Sequence, residues 1–217
     1  VASHWEALAD EVISYEPKLG IYNIGINDLT GSTPAKAVVD SMESALLTIK
    51  EALPDFQVVL VSVSHCPARP AITDAISQTN ALMRNLAASY DWMYYAEAEY
   101  LFCTDPTDPL STNASLFIDG LHPSAEGYQM MADVIRSAIK GENQPEFDQD
   151  LADKLLAAAK ANKLASMDIY SQTAYTADNW VQAKPYYDAA IAKIQACETE
   201  KALETVDISS ELAALDA

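Results

Sequence analysis

The chain has 217 residues, half of them apolar, with 32 acidic against 13 basic side chains for a formal net charge of −19. That length suffices for one good-sized domain or two small ones with a real core. Acid exceeds base on both sides of Pro145, so no basic stripe is available for phosphates, which argues against nucleic acid and anionic membranes as partners. No apolar run is long enough, at about 18 residues, to read as a transmembrane helix.

From Trp5 to about Ile139, apolar runs of strand length alternate with helical periodicity, the pattern of a parallel α/β sheet. Trp5, Leu8 and Val12 recur at helical spacing until Pro17 stops them, and residues 19–24 read as a buried strand. A helix is expected next, with Thr33 as its N-cap and Pro34 at its first position, carrying Val38, Met42, Leu46, Ile49 and Leu53 on one stripe. Residues 57–63 (QVVLVSV) form the clearest strand, β-branched and continuous as a strand buried on both faces should be. A loop with two prolines follows over 64–70, then a helix over 72–90, a short strand over 92–95 and a long polar connection over 103–115. The last helix of this region is expected to open at Pro123 and run to about Ile139.

Gly141-Glu142-Asn143-Gln144-Pro145 reads as a linker by composition, separating a domain over 1–140 from another over 146–217. Beyond it the strand signal ends. Three helices are expected, over 147–165, 177–197 and 199–215, with Thr176 capping the middle one and Pro185 kinking it or shifting its start. The fold class is therefore α/β with a C-terminal three-helix bundle.

The chemistry concentrates in two short segments. In Asp119-Gly120-Leu121-His122-Pro123, Gly120 permits a turn that brings Asp119 and His122 to one side. Pro123 keeps His122 out of the helical region, so an imidazole oriented by a carboxylate stands on a rigid loop before a helix. That is the base-and-orienter pair of hydrolytic triads. The bland alternative is an Asp-Gly turn followed by a helix-capping His. Gly25-Ile26-Asn27-Asp28 lies at the carboxyl end of a predicted strand, where parallel sheets bind ligands. The Asn27 amide is a neutral donor suited to an oxyanion that forms only in the transition state. Asp28 would repel such an oxyanion and is assigned to capping the loop backbone. An ordinary Asn-Asp turn is the competing reading.

The strand followed by Gly25-Ile26-Asn27-Asp28, and Asp119-x-x-His122-Pro123 followed by a helix, resemble the third and fifth conserved blocks of the SGNH (GDSL-type) esterases and lipases. The runs YEPKLGIYNIGIND and IDGLHPSAEGYQMMADVI extend the resemblance over about residues 3–140. It implies a flavodoxin-like three-layer α/β/α domain in which His122 is the general base, Asp119 its partner and Asn27 an oxyanion-hole donor. It implies hydrolysis of acyl or acetyl esters, those of carbohydrates among them, with no metal or organic cofactor.

The family's Gly-Asp-Ser nucleophile block and its second Gly donor are not found in these 217 residues. The first strands are thus expected to lie outside the chain, which alone should have little activity. By position only, Ser3, Ser14, Ser62 and Ser64 are substitute nucleophiles. If the family's 2-1-3-4-5 strand order holds, the strand of 19–24 is left with a bare edge and the isolated chain should self-associate. The tail YTADNWVQAKPYYDAAIAKIQA resembles FIVAR-type bundles of Gram-positive surface and secreted proteins, which implies an accessory module on an exported bacterial enzyme. The competing class is a non-enzymatic cell-surface binding or structural protein that keeps the hydrolase fold.

His4, His65 and His122 form no metal-binding spacing, and Asp105 with Asp108 does not make an EF-hand. Cys66 and Cys103 both fall in predicted loops, where a bridge could form, although buried free thiols are the default. The chain opens on Val1 without a charged-then-apolar leader, so any targeting segment is expected to lie outside it.

Overall fold

The computed structural model describes residues 3–29 and 33–216, and for residues 3–7 the backbone only. The expectations for the side chains of Ser3, His4 and Trp5 fall outside the described residues. The chain divides into two compact units, Val1–Phe147 and Asp148–Ala217.

The first unit is an α/β fold built on a three-stranded parallel sheet in the order β1-β2-β3, with β1 Leu19–Tyr22, β2 Gln57–Val61 and β3 Met93–Ala96. Tyr22 pairs with Leu60, and Leu60 in turn with Tyr95. Helices α1 (Ser3–Ser14), α2 (Ala35–Ala52) and α3 (Thr73–Ala88) cover one face, and α4 (Ala125–Ile139) covers the other. Strand alternation divides β2 between the two cores. Val58 and Leu60 pack with Met42, Leu46, Ile76 and Met83. Val59 and Val61 pack with Ala96, Phe102, Phe117 and Met131. All four are buried, which explains the unbroken apolar run of that strand.

Several boundaries move from the expected ones. Pro34, with an extended ψ of 139°, is the N-cap of α2, and the helix begins at Ala35, one residue later than the reading with Thr33 as cap. Likewise α4 begins at Ala125: the Ser124 hydroxyl accepts the Gly127 N–H and takes the capping place, leaving Pro123 outside the helix. β2 stops at Val61 rather than Val63 because the backbone of Val63 is claimed from α3. The Asn80 amide accepts the Val63 N–H at 2.8 Å and donates to the Val63 carbonyl at 2.8 Å.

The two sheet edges differ. On the outer side of β3 the Gln144 side chain imitates a strand, accepting the Tyr95 N–H at 2.8 Å and donating to the Tyr95 carbonyl at 3.2 Å. The segment that composition marks as a linker thus closes an edge of the first unit. β1 is the other edge, with Leu19 and Ile21 exposed at 41% and 54%. Cys66, Cys103 and Cys197 are all free thiols; no Cys66–Cys103 bridge forms, and Cys103 instead pairs by backbone with Thr112 inside its own loop.

The second unit contains α5 (Gln149–Ala165), α6 (Ala177–Ala196), α7 (Glu200–Glu204) and α8 (Ser209–Leu215) around Met167, Ala190, Ile194, Leu203 and Leu215. Thr176 caps α6 as expected, accepting the Asn179 N–H. α6 runs through Pro185 without a break. The carbonyl that loses its donor belongs to Val181, which is exposed, so water can satisfy it. The third expected helix is two. Asp207 folds back to accept the Ser209 N–H and hydroxyl, and this turn separates α7 from α8. No helix among the described residues is long and apolar enough to cross a membrane.

Candidate active site

The loop between Leu116 and Ser124 is closed at its base by two backbone bonds, Ile118 N–H to the His122 carbonyl (2.8 Å) and Ser124 N–H to the Leu116 carbonyl (2.7 Å). Gly120 turns the tip with φ of +81°, a region that disfavours a side chain. Its carbonyl accepts the Ala68 N–H at 2.9 Å, tying the tip to the loop after β2.

Inside this frame Asp119 is used three times. One oxygen accepts the backbone N–H groups of Leu121 (3.0 Å) and His122 (2.8 Å), and the other lies 2.7 Å from His122 Nδ1. The His122 backbone N–H, the His122 ring and the Leu121 N–H hold the Asp119 carboxyl well below the usual carboxylate range. An ionised carboxylate can only accept, so the proton between them sits on Nδ1 and Nε2 of the neutral ring is left as the basic nitrogen.

Gly25 bears the second element. Its φ of +136° is one that L side chains rarely adopt, and a β-carbon there would come within 2.9 Å of Val63 Cγ2. Its carbonyl accepts the N–H groups of Asp28 (2.9 Å) and Leu29 (3.2 Å), which makes the turn that presents Asn27. Asp28 lies near buried Tyr22, whose phenol burial and the Asp28 charge both push up.

Both elements open onto one crevice of about 250 Å³. Asn27 and His122 line it together with Ser64 and Cys66, over an apolar floor that includes Phe102, Phe117 and Met131. The carboxyl ends of β1 and β2 and the loop before α4 thus converge, as the motif pair requires. Of the substitute nucleophiles, Ser62 is fully buried, bonding Glu97 and the Ala98 N–H, and the exposed Ser14 donates to the Glu11 carbonyl at the end of α1. Ser64 alone of the described candidates lines the crevice.

Sequence reasoning missed the support behind this wall. His65 is completely buried between the crevice-lining Ser64 and Cys66, with Nε2 3.4 Å from Glu99 and its ring against Tyr100. Glu99 also accepts from Ser77 (2.6 Å) and Arg84 (2.9 Å). The available signal was a His flanked by apolar strand and a Pro-rich loop, with two acids just past the next strand.

Residues 1–130 match the family model described as GDSL-like Lipase/Acylhydrolase family. The chain belongs to that family. Among solved structures, the GDSL-like chain is similar to an acylhydrolase candidate from Bacteroides fragilis, at 22% identity and a TM-score of 0.55, covering 65% of this chain and 70% of that one. It is similar also to a GDSL-like lipase from Bacteroides thetaiotaomicron, at 25% identity and a TM-score of 0.52, covering 65% and 71%. A GDSL-like lipase candidate from Parabacteroides merdae, at 20% identity, has a TM-score of 0.53 over 63% and 67%. No curated protein matches the sequence.

Proposed function

We propose that this chain carries the acid–base and oxyanion half of a serine ester hydrolase acting on acyl or acetyl esters, including those of carbohydrates. The observation that carries the reading is the convergence of the Asp119–His122 pair and Asn27 on one crevice. The nucleophile is a serine outside these 217 residues, which contain no Gly-Asp-Ser. That serine attacks the ester carbonyl while His122 Nε2 takes its proton, and Asp119 steadies the imidazolium. Asn27 donates to the oxyanion of the tetrahedral intermediate. Collapse expels the alcohol, which takes the proton from His122, and water then releases the acyl group by the same route. The second unit is read as a FIVAR-like accessory module, and the whole as an exported bacterial protein.

Alone, the chain is expected to turn over p-nitrophenyl acetate far below the roughly 1 per second typical of enzymes. Phosphonate-sensitive turnover at or above that rate would place the nucleophile inside the chain. A coding frame that lacks a strand and Gly-Asp-Ser upstream of Val1 would favour the binding-protein alternative.

The bare β1 edge provides a second test. Among the described residues no strand lies beyond β1, and Leu19 and Ile21 stand exposed on one of its faces, so at high concentration the chain should form dimers in which two β1 edges pair. Sedimentation equilibrium together with amide exchange across residues 19–22 reads this out. A monodisperse monomer with slow exchange there would show that the edge is already covered.

A further inference from the structure

We propose that the Gln144 side chain is an edge guard. It holds the outer edge of β3 closed against the bare β1 edge of a second copy of this chain, and so keeps the sheet from growing end to end. Edge pairing is separate from the ester-hydrolase chemistry of the crevice.

The register says which groups of β3 need a guard. The Val58 N–H bonds to the Trp92 carbonyl, and the Ser62 N–H to the Ala96 carbonyl. Alternate residues of a strand turn their backbone groups to opposite neighbours, so Met93 and Tyr95 carry those that point away from β2. The Met93 N–H is taken by the Tyr90 carbonyl at 3.2 Å. Tyr95 is the other, and the Gln144 amide takes both its groups, with Oε1 accepting at 2.8 Å and Nε2 donating at 3.2 Å. One carboxamide holds an acceptor and a donor side by side, the pair that a neighbouring strand would offer.

The path to this contact is built into the end of α4. Gly141, with φ of +74°, donates its N–H to the Ala138 carbonyl at 2.8 Å, and the Glu142 N–H reaches the Ser137 carbonyl at 3.1 Å, which is a Schellman ending. The Glu142 carboxylate accepts the Ser137 hydroxyl, and its carbonyl accepts from Gln144 Nε2 at 3.1 Å. Asn143 takes a second left-handed conformation, φ of +54°, which asparagine tolerates better than most side chains. Two left-handed residues within three fix the course of the chain onto the edge.

What the guard excludes stands at the other end of the same sheet. β1 and β3 are four residues long, both pair parallel with β2, and among the described residues no strand lies beyond β1. The β1 edge of one copy laid against β3 of the next therefore continues the sheet in the same sense. Such a head-to-tail contact repeats into rings or open filaments. Closing one of its two edges stops it, and leaves the β1 edge only the two-fold pairing that ends at a dimer.

Sedimentation velocity and amide exchange on the whole chain read the test. In the parent the Tyr95 N–H should exchange slowly at every concentration. In dilute Gln144→Ala it should exchange at least about tenfold faster, with the melting temperature lowered by only a few degrees. On concentration the variant should assemble beyond the parent's state while Tyr95 regains its protection. Gln144→Asn, one methylene too short to reach both groups, should behave alike. Gln144→Glu, which sets a charge on the edge, should assemble no further than the parent. Adding Ile21→Lys to Gln144→Ala charges β1 and should abolish the added assembly. Slow exchange at Tyr95 in dilute Gln144→Ala would overturn the guard, as would an exposed Tyr95 with no assembly beyond the parent's. Growth of Gln144→Glu equal to that of Gln144→Ala would trace assembly to loosened structure and overturn it too. Growth that survives Ile21→Lys would overturn the β1 edge as the strand excluded.

Discussion

Once a serine nucleophile is supplied, His122→Ala is expected to lower kcat/KM for p-nitrophenyl acetate by about 10³-fold or more, with KM little changed. The base acts on the proton as it moves, so its loss falls on kcat. Asp119→Asn should cost as much, on the order of 10⁴-fold, although it alters one atom. An amide in place of the carboxylate can present its NH₂ to Nδ1 and force the proton onto Nε2, the nitrogen that must be free. It also weakens the acceptor that fixes the Leu121 and His122 N–H groups, so the loop loses its internal anchor. Asn27→Ala removes one oxyanion donor and should cost about 10²- to 10³-fold.

These values are measured in the chain complemented by a segment that brings the serine. Activity of His122→Ala within threefold of the parent would remove His122 from the mechanism. The pH profile adds a sign. Because the Asp119 carboxyl is held below its ordinary range, its ionised form persists as pH falls and is lost only on passing that lowered value. Asp119 therefore contributes no activity loss in the mildly acidic range.

How much of this was legible in the sequence depends on how local the cause is. The Asp119–His122 pair is an i,i+3 contact set by a glycine and a proline between and beside its members, so the segment carries its own geometry. The turn at Gly25 is equally self-contained. Element type followed from periodicity, since α2 buries Val38, Met42, Leu46 and Ile49 as its stripe requires. What failed was decided by distant partners. The end of β2 depends on Asn80, 17 residues away. The closed edge of β3 depends on Gln144, 49 residues further along the chain, inside a segment whose composition says linker. No window of sequence holds both halves of such a contact.

The buried network behind the crevice belongs to this second kind, and it carries the largest expected effect on stability. Glu99 is 3% exposed. Burial alone would push its carboxyl up, but the His65 ring 3.4 Å away, hydrogen bonds from Ser77 and Arg84, and the Arg84 charge outweigh that and bring it down to about 2. The unfolded chain would titrate this group near its ordinary 4.5. A depressed folded value means stability that is fully present above about 4.5 and is lost as pH falls toward about 2, a contribution of roughly 3 kcal/mol. Glu99→Gln should therefore lower stability at pH 7 by about 3 kcal/mol and flatten its dependence on pH between about 2 and 4.5. Arg84 would not be abandoned, since Glu97 accepts from its Nε at 3.0 Å and Nη2 at 2.7 Å, which keeps the loss near the lower end for a broken buried pair. Glu97→Gln, at a half-exposed carboxylate, should cost less than about 1 kcal/mol and leave the acid slope in place. Urea unfolding of the three proteins from pH 2 to 7 separates the cases, and an unchanged acid slope in Glu99→Gln would rule Glu99 out as its source. The same variant tests the link to the site. The His65 N–H donates to the Glu99 carbonyl at 3.0 Å, and its ring faces the carboxylate, so Glu99 is what holds the Ser64–Cys66 wall against β3. Backbone signals of Ser64 and Cys66 should move in Glu99→Gln, while Asp119 and His122, fixed by bonds within their own loop, stay where they are.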